Sequence, residues 1–113
     1  MRKLYHNCSG KHMGFIAACY EMGFPIEGYW QISHPLQQKI LKILSYISET
    51  PFSEIQVGVD GCGAPIFAIP LQNMAITSLK LACPDLIEDD ELREAVVRMT
   101  NIMNNEHNMV AAD

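Results

Sequence analysis

No apolar run in this chain approaches the roughly 18 residues that a membrane-spanning helix needs; the runs from Phe15 to Cys19 and from Ile66 to Ile69 fall far short of it. Basic residues are scarce as well. Eight Lys and Arg against thirteen Asp and Glu leave a formal net charge of -5, the wrong sign for a surface that gathers phosphates, so neither a membrane nor nucleic acid is an expected partner. The opening residues from Met1 to Cys8 begin basic but lack the apolar stretch of a secretory leader, which reads as a cytoplasmic protein. No two cysteines have the C-x-x-C spacing, and neither a disulfide framework nor a zinc ribbon is expected. Repeats and low-complexity linkers are missing too. What remains is a chain of 113 residues, 49% hydrophobic and 19% charged, the composition of an ordinary globular domain; residues 1–113 read as one domain or domain fragment.

The four cysteines separate into two kinds. Cys19, in Phe15-Ile-Ala-Ala-Cys19, and Cys83, in Leu79-Lys-Leu-Ala-Cys83, have the surroundings of small buried hydrophobes. Cys8 and Cys62 sit in polar, glycine-containing stretches, His6-Asn-Cys-Ser-Gly-Lys-His12 and Asp60-Gly-Cys-Gly63, where a thiol is available for chemistry.

The patterning predicts an α+β chain, mostly helical, with about four helices and one short β-hairpin or strand-loop-strand. The first helix runs from Lys11 to Met22, apolar nearly all round and therefore expected to be buried, with Ser9 as its N-cap and Gly23 after its end. The second opens at Ser33-His34-Pro35 and carries Leu36, Ile40, Ile43, Leu44 and Ile47 on one face, with Gln37, Gln38, Lys42 and Ser45 turned away. Val57, Val59 and the run from Ile66 to Ile69 alternate as two strands around the Asp60-Gly turn. A third helix begins at Pro70, with Leu71, Met74, Ala75, Leu79 and Ala82 as its stripe, and stops before Pro84. The acidic run from Glu88 to Glu91 starts a fourth, with Leu92, Ala95, Val96, Met99 and Met103 on its apolar face.

Four readings of Cys8 and Cys62 compete. Cys8 could be a nucleophile activated by His12, Lys11 and a helix N-terminus. Lys11 after Gly10 could end a phosphate-binding loop, but that pattern needs a glycine where Tyr5 stands and a Ser or Thr where His12 stands. The two thiols, from two loops, could hold a metal together with Lys11, His12 or Asp60, since zinc accepts thiolate, imidazole and carboxylate in a tetrahedron. The fourth reading is structural only: a capped helix and a tight turn with no function.

Three segments together, from His6 to Gly14, from His34 to Leu41 and from Gly58 to Leu71, resemble the bacterial L-asparaginase II family of the inducible rhizobial type. Order, spacing and flanks agree from about Leu4 to Ala112. The resemblance implies hydrolysis of L-asparagine to L-aspartate and ammonia, on a fold similar to the serine β-lactamases and penicillin-binding proteins. It implies a zinc ion held by Cys8, Lys11 and Cys62. For an amino acid substrate Asp60 offers the anion that the α-ammonium needs, and His12, about a hundred degrees around the helix from Lys11, is expected to touch the substrate or to support the metal ligands. A lysine ligand must first lose its proton, so such a site depends on pH. The family uses serine nucleophiles paired with lysines, one pair in a Ser-x-x-Lys motif, and residues 1–113 contain no such motif; the nearest is Thr77-Ser-Leu-Lys80, read as a polar helix face. The chain is therefore expected to correspond to a middle segment of a longer enzyme, inactive by itself and open to self-association or to complementation by the missing segment. A non-catalytic metal- or amino-acid-binding module and a Cys8-dependent hydrolase are the alternatives.

Overall fold

The structure is a computed structural model and describes residues 6–110; the basic opening weighed against a secretory leader falls mostly in residues 1–5, outside them. Among the described residues the chain is α+β, with helices α1 (Ser9–Met22), α2 (Pro35–Ser48), α3 (Leu71–Ala82), α4 (Asp90–Asn105) and α5 (His107–Val110), and strands β1 (Gln56–Val59) and β2 (Pro65–Ala68). Short 3-10 turns occupy Phe52–Glu54 and Pro84–Leu86. Four of the helices are those that the periodicity predicts, and α5 adds a single turn. No helix of the described residues is long and apolar enough to cross a membrane. The chain forms two compact units, one of the described residues up to Tyr46 with Thr50–Ile69, the other of Ile47–Glu49 and the described residues from Pro70 onward.

In the first unit, α1 starts differently from the expectation. Cys8, not Ser9, is the N-cap, and its side chain makes no capping bond. The turn before the helix is closed instead by His6, whose carbonyl accepts the Ser9 N–H at 2.9 Å and whose Nδ1 accepts the Cys8 N–H at 3.1 Å. Ser9 is thereby drawn in as the first helical residue, one position past the cap. The helix ends as predicted at Gly23, which takes a left-handed φ of 68°, while the Phe24 N–H returns to the Cys19 carbonyl at 2.9 Å. Only Cys19 is buried along α1, so the expectation of a buried helix is corrected. An all-round apolar surface does not by itself supply neighbours on every side.

At the start of α2 the buried His34 is fully bonded, its Nδ1 accepting the Leu36 N–H at 3.1 Å and its Nε2 lying 2.8 Å from the Pro25 carbonyl. Gln37, expected to face away, is 1% exposed and donates to the Tyr29 carbonyl at 2.8 Å. That bond repays the desolvation of its amide. Strands β1 and β2 pair antiparallel with Val57 opposite Phe67 and Val59 opposite Pro65; the expected pair of strands is present, with the second at Pro65–Ala68 instead of Ile66 to Ile69 and with every residue of β1 exposed. The reversal between them is tight: the Asp60 N–H donates to the Ala64 carbonyl at 2.8 Å and the Gly63 N–H to the Asp60 carbonyl at 2.9 Å. Gly63 adopts a φ of 84°, a conformation that disfavours any residue with a Cβ.

The second unit packs Ile47, Ile87 and Val96 into a small core flanked by Leu81 and Leu92. The predicted stripe of α3 is not the packed face. Leu71, Met74 and Leu79 are exposed, whereas Ile76, Thr77 and Leu81 are half-buried. Cys83, expected to be buried, is exposed; it is the residue that caps the end of α3, one before Pro84. The acidic start of α4 behaves as predicted, with Asp89 as N-cap accepting the Leu92 N–H at 2.8 Å, and of its predicted face Leu92 and Val96 pack into the core while Met99 and Met103 stay exposed.

Candidate thiolate and metal site

Cys8 and Cys62 are fifty-four positions apart, one at the N-terminus of α1 and the other in the reversal between β1 and β2, and the first unit brings them together. Their sulfurs and one oxygen of Asp60 all lie within 4.8 Å of one another, and all three residues are half-buried. Lys11, in the first turn of α1, reaches the same carboxylate, its Nζ donating to Asp60 Oδ2 at 2.8 Å. The second oxygen of Asp60 accepts the Gly61 N–H at 2.7 Å, a local bond that aims the carboxylate toward α1 instead of along the turn. Cys62 Sγ lies 3.5 Å from Asp60 Oδ2, a contact in which only the protonated thiol can donate.

The charges sort themselves accordingly. The ammonium of Lys11 beside it and the Gly61 N–H hold the Asp60 carboxyl below its ordinary range, and the same carboxylate raises the affinity of Lys11 for its proton. Cys62 is pushed down to about 7, chiefly by the backbone N–H of Ala64, then by His12, and further by Cys8 and Lys11. Cys8 moves the other way, because as a thiol it donates to the Cys62 sulfur. The two sulfurs thus titrate as a pair in which the first charge settles on Cys62.

His12, the next residue after Lys11, bonds to a residue outside this cluster. Its Nδ1 is 2.8 Å from the Tyr29 hydroxyl, and its ring meets Phe15 and Tyr29 edge-on at centroid separations of 5.9 and 5.7 Å. Its Nε2 is buried with no hydrogen-bond partner. Tyr29 was not singled out in the sequence. It lies in a loop of mixed polarity, and the signal that could have marked it, a glycine before it at position 28 and Trp30 after it, is too common to pick out a site residue.

A divalent ion suits this donor set. In a tetrahedral site with Zn–S bonds of about 2.3 Å and Zn–O bonds of about 2.0 Å, neighbouring ligand atoms sit about 3.3–3.8 Å apart, so the two sulfurs and the carboxylate need move no more than about 1.5 Å inward. Two sulfur donors select a soft or borderline metal over magnesium or calcium. Of the ligands that the resemblance implies, Cys8 and Cys62 stand in position. Lys11 stands adjacent but is committed as an ammonium to Asp60, while Asp60 itself lies with the sulfurs.

Compared with known proteins, the chain is matched by a family model for L-asparaginase II over residues 1–113. No curated protein matches it.

Proposed function

The chain belongs to the L-asparaginase II family, and from that premise we propose that it supplies the thiolate and metal side of a site that hydrolyses the side-chain amide of L-asparagine to L-aspartate and ammonia. The observation that supports this reading is the convergence of Cys8, Lys11, Asp60 and Cys62 from two motifs far apart in the sequence. Zinc held by Cys8 and Cys62 would orient or polarise the substrate. Its third protein ligand is Lys11, as the resemblance implies, once that side chain gives up its proton. Asp60 is the second candidate for that position, favoured by the place of its oxygen beside both sulfurs.

Substrate recognition falls to His12 and Asp60. The α-ammonium of an amino acid calls for an anion, and although Asp60 Oδ1 already accepts from Gly61 and Oδ2 from Lys11 and the Cys62 thiol, a carboxylate has about four lone-pair sites. His12 keeps one ring nitrogen unengaged. The acyl-transfer step itself belongs to a lysine-activated serine, by the same family likeness, and residues 1–113 contain no Ser-x-x-Lys. The chain by itself therefore hydrolyses asparagine at no useful rate. The rival nucleophiles are Cys8 and Ser9, the latter half-buried and next to Cys8 in the chain.

Two measurements on the purified chain test the reading. Calorimetry should detect L-asparagine binding that weakens at least tenfold in Asp60→Asn, while ammonia release stays at the background level. Turnover lost in Cys8→Ala or in Ser9→Ala would assign the nucleophile to this chain, and binding unchanged in Asp60→Asn would remove Asp60 from the substrate site.

A further inference from the structure

We propose that Cys8 and Cys62 are a site of reversible oxidative modification: hydrogen peroxide closes them into an intramolecular disulfide, and the closed pair holds no metal ion. The second half rests on the metal reading above, whereas the first stands on the placement of the two sulfurs alone.

Sequence spacing speaks against such a bond, since the two cysteines are fifty-four positions apart and form no C-x-x-C pair. The fold overrides the spacing. Both thiols are free, and their sulfurs lie within 4.8 Å of each other. They need close by at most about 2.8 Å to reach the S–S bond length of about 2.05 Å, and turning one side chain about χ1 to the next staggered well moves its sulfur by about that much. Little holds either sulfur back. The Cys8 side chain makes no capping bond to α1, and the contact of the Cys62 sulfur with Asp60 Oδ2 is long, at 3.5 Å, on an oxygen that the Lys11 ammonium already engages at 2.8 Å. Gly61 and Gly63 flank Cys62 with open space where a Cβ would stand, which leaves the reversal room to shift.

Access selects the same pair. Cys19 is buried, whereas Cys8 and Cys62 are half-buried, so these two are the thiols of the first unit that a small oxidant reaches; the exposed Cys83 belongs to the second unit. One sulfur attacks an oxygen of hydrogen peroxide, the O–O bond breaks, and a sulfenic acid forms as the first water leaves. The second sulfur then attacks the sulfenic sulfur; the S–S bond forms, the S–O bond breaks, and hydroxide leaves as a second water with the remaining thiol proton. Two thiols give up two electrons and two protons, and one peroxide becomes two waters. An added dithiol reopens the bond by exchange. Because zinc is held by thiolates, a pair tied up as a disulfide offers it no charged sulfur, so bond and metal exclude each other.

The test exposes reduced, metal-free protein to hydrogen peroxide and digests it without reductant. The expected result is a Cys8–Cys62 cross-linked peptide from a chain that remains monomeric in non-reducing denaturant, free thiols falling from the four of the sequence to two per chain, and all of them restored by dithiothreitol. The same link should form in Cys83→Ala. Separate oxidation of Cys8 and Cys62 to sulfinic acids would overturn the proposal, as would links found only between chains or only to Cys19 or Cys83. Zinc uptake is then compared before oxidation, after it and after reduction, and the oxidised protein should take up none until the dithiol is added. Equal uptake by oxidised and reduced protein would overturn the exclusion. If the reduced protein takes up no zinc either, the metal reading above fails, and the peptide map decides the modification by itself.

Discussion

At the level of single residues, the division of charge between the two thiols is the property most open to experiment. Cys62 is drawn down to about 7 and Cys8 is pushed up, so in metal-free protein alkylation by iodoacetamide should strike Cys62 first, with its rate rising through about pH 7. Cys8→Ala removes one of the donors to that thiolate and should move the rise to higher pH; a profile that stays in place would show that the sulfurs do not share a proton. The linkage follows the same sign. A depressed thiol contributes stability above its unfolded value, and that contribution disappears as the pH falls through about 7, whereas the Lys11–Asp60 pair, with lysine raised and aspartate lowered, stays intact across neutrality. The contrast between Cys8 and Cys62 in polar loops and Cys19 in an apolar run was legible in the sequence. Cys83 was not, because its position at the end of α3 depends on where the helix stops relative to the core, which local composition does not record.

Among the elements, the reversal between β1 and β2 positions Cys62 and Asp60, and its geometry rests on the left-handed backbone of Gly63. Gly63→Ala has open space for its Cβ but must adopt a strained φ, so it should cost about 1 kcal/mol and weaken metal binding by tilting Cys62; wild-type metal affinity in that variant would show that the turn tolerates the change. Asp89→Ala removes the N-cap of α4 and should cost about 1 kcal/mol in thermal unfolding without touching the thiol site, since both its partner and the core behind it lie in the second unit. Starts and stops of helices were the clearest features in the sequence: Pro35, Gly23, Pro84 and the acidic run all act where the pattern places them. Faces were harder to read. On α3 apolar residues occur on more than one side, Leu71, Met74 and Leu79 exposed and Ile76 and Leu81 packed, and periodicity alone could not choose between them. The Ser9 cap was misread because His6 closes that turn with both its carbonyl and its ring, a task that cannot be seen from the preference of serine for helix starts.

For the molecule as a whole, the α+β class and the family were within reach of the sequence, since both follow from element order and from motifs that recur with fixed spacing. The meeting of Cys8 with Cys62 across fifty-odd residues depends on tertiary structure that brings the start of α1 to the reversal between the strands, and the residues offered it as one of several readings, which the resemblance then favoured. Ile87 is 1% exposed in the core of the second unit, and Ile87→Ala should destabilise that unit by about 2–5 kcal/mol. The central claim, that Cys8 and Cys62 jointly hold a metal ion, is tested most directly by the metal content of four proteins prepared without chelator: wild type, Cys8→Ala, Cys62→Ala and, as the control, the exposed Cys83→Ala. The account predicts about one zinc per chain in wild type and Cys83→Ala and none in the other two; equal content in all four would contradict it.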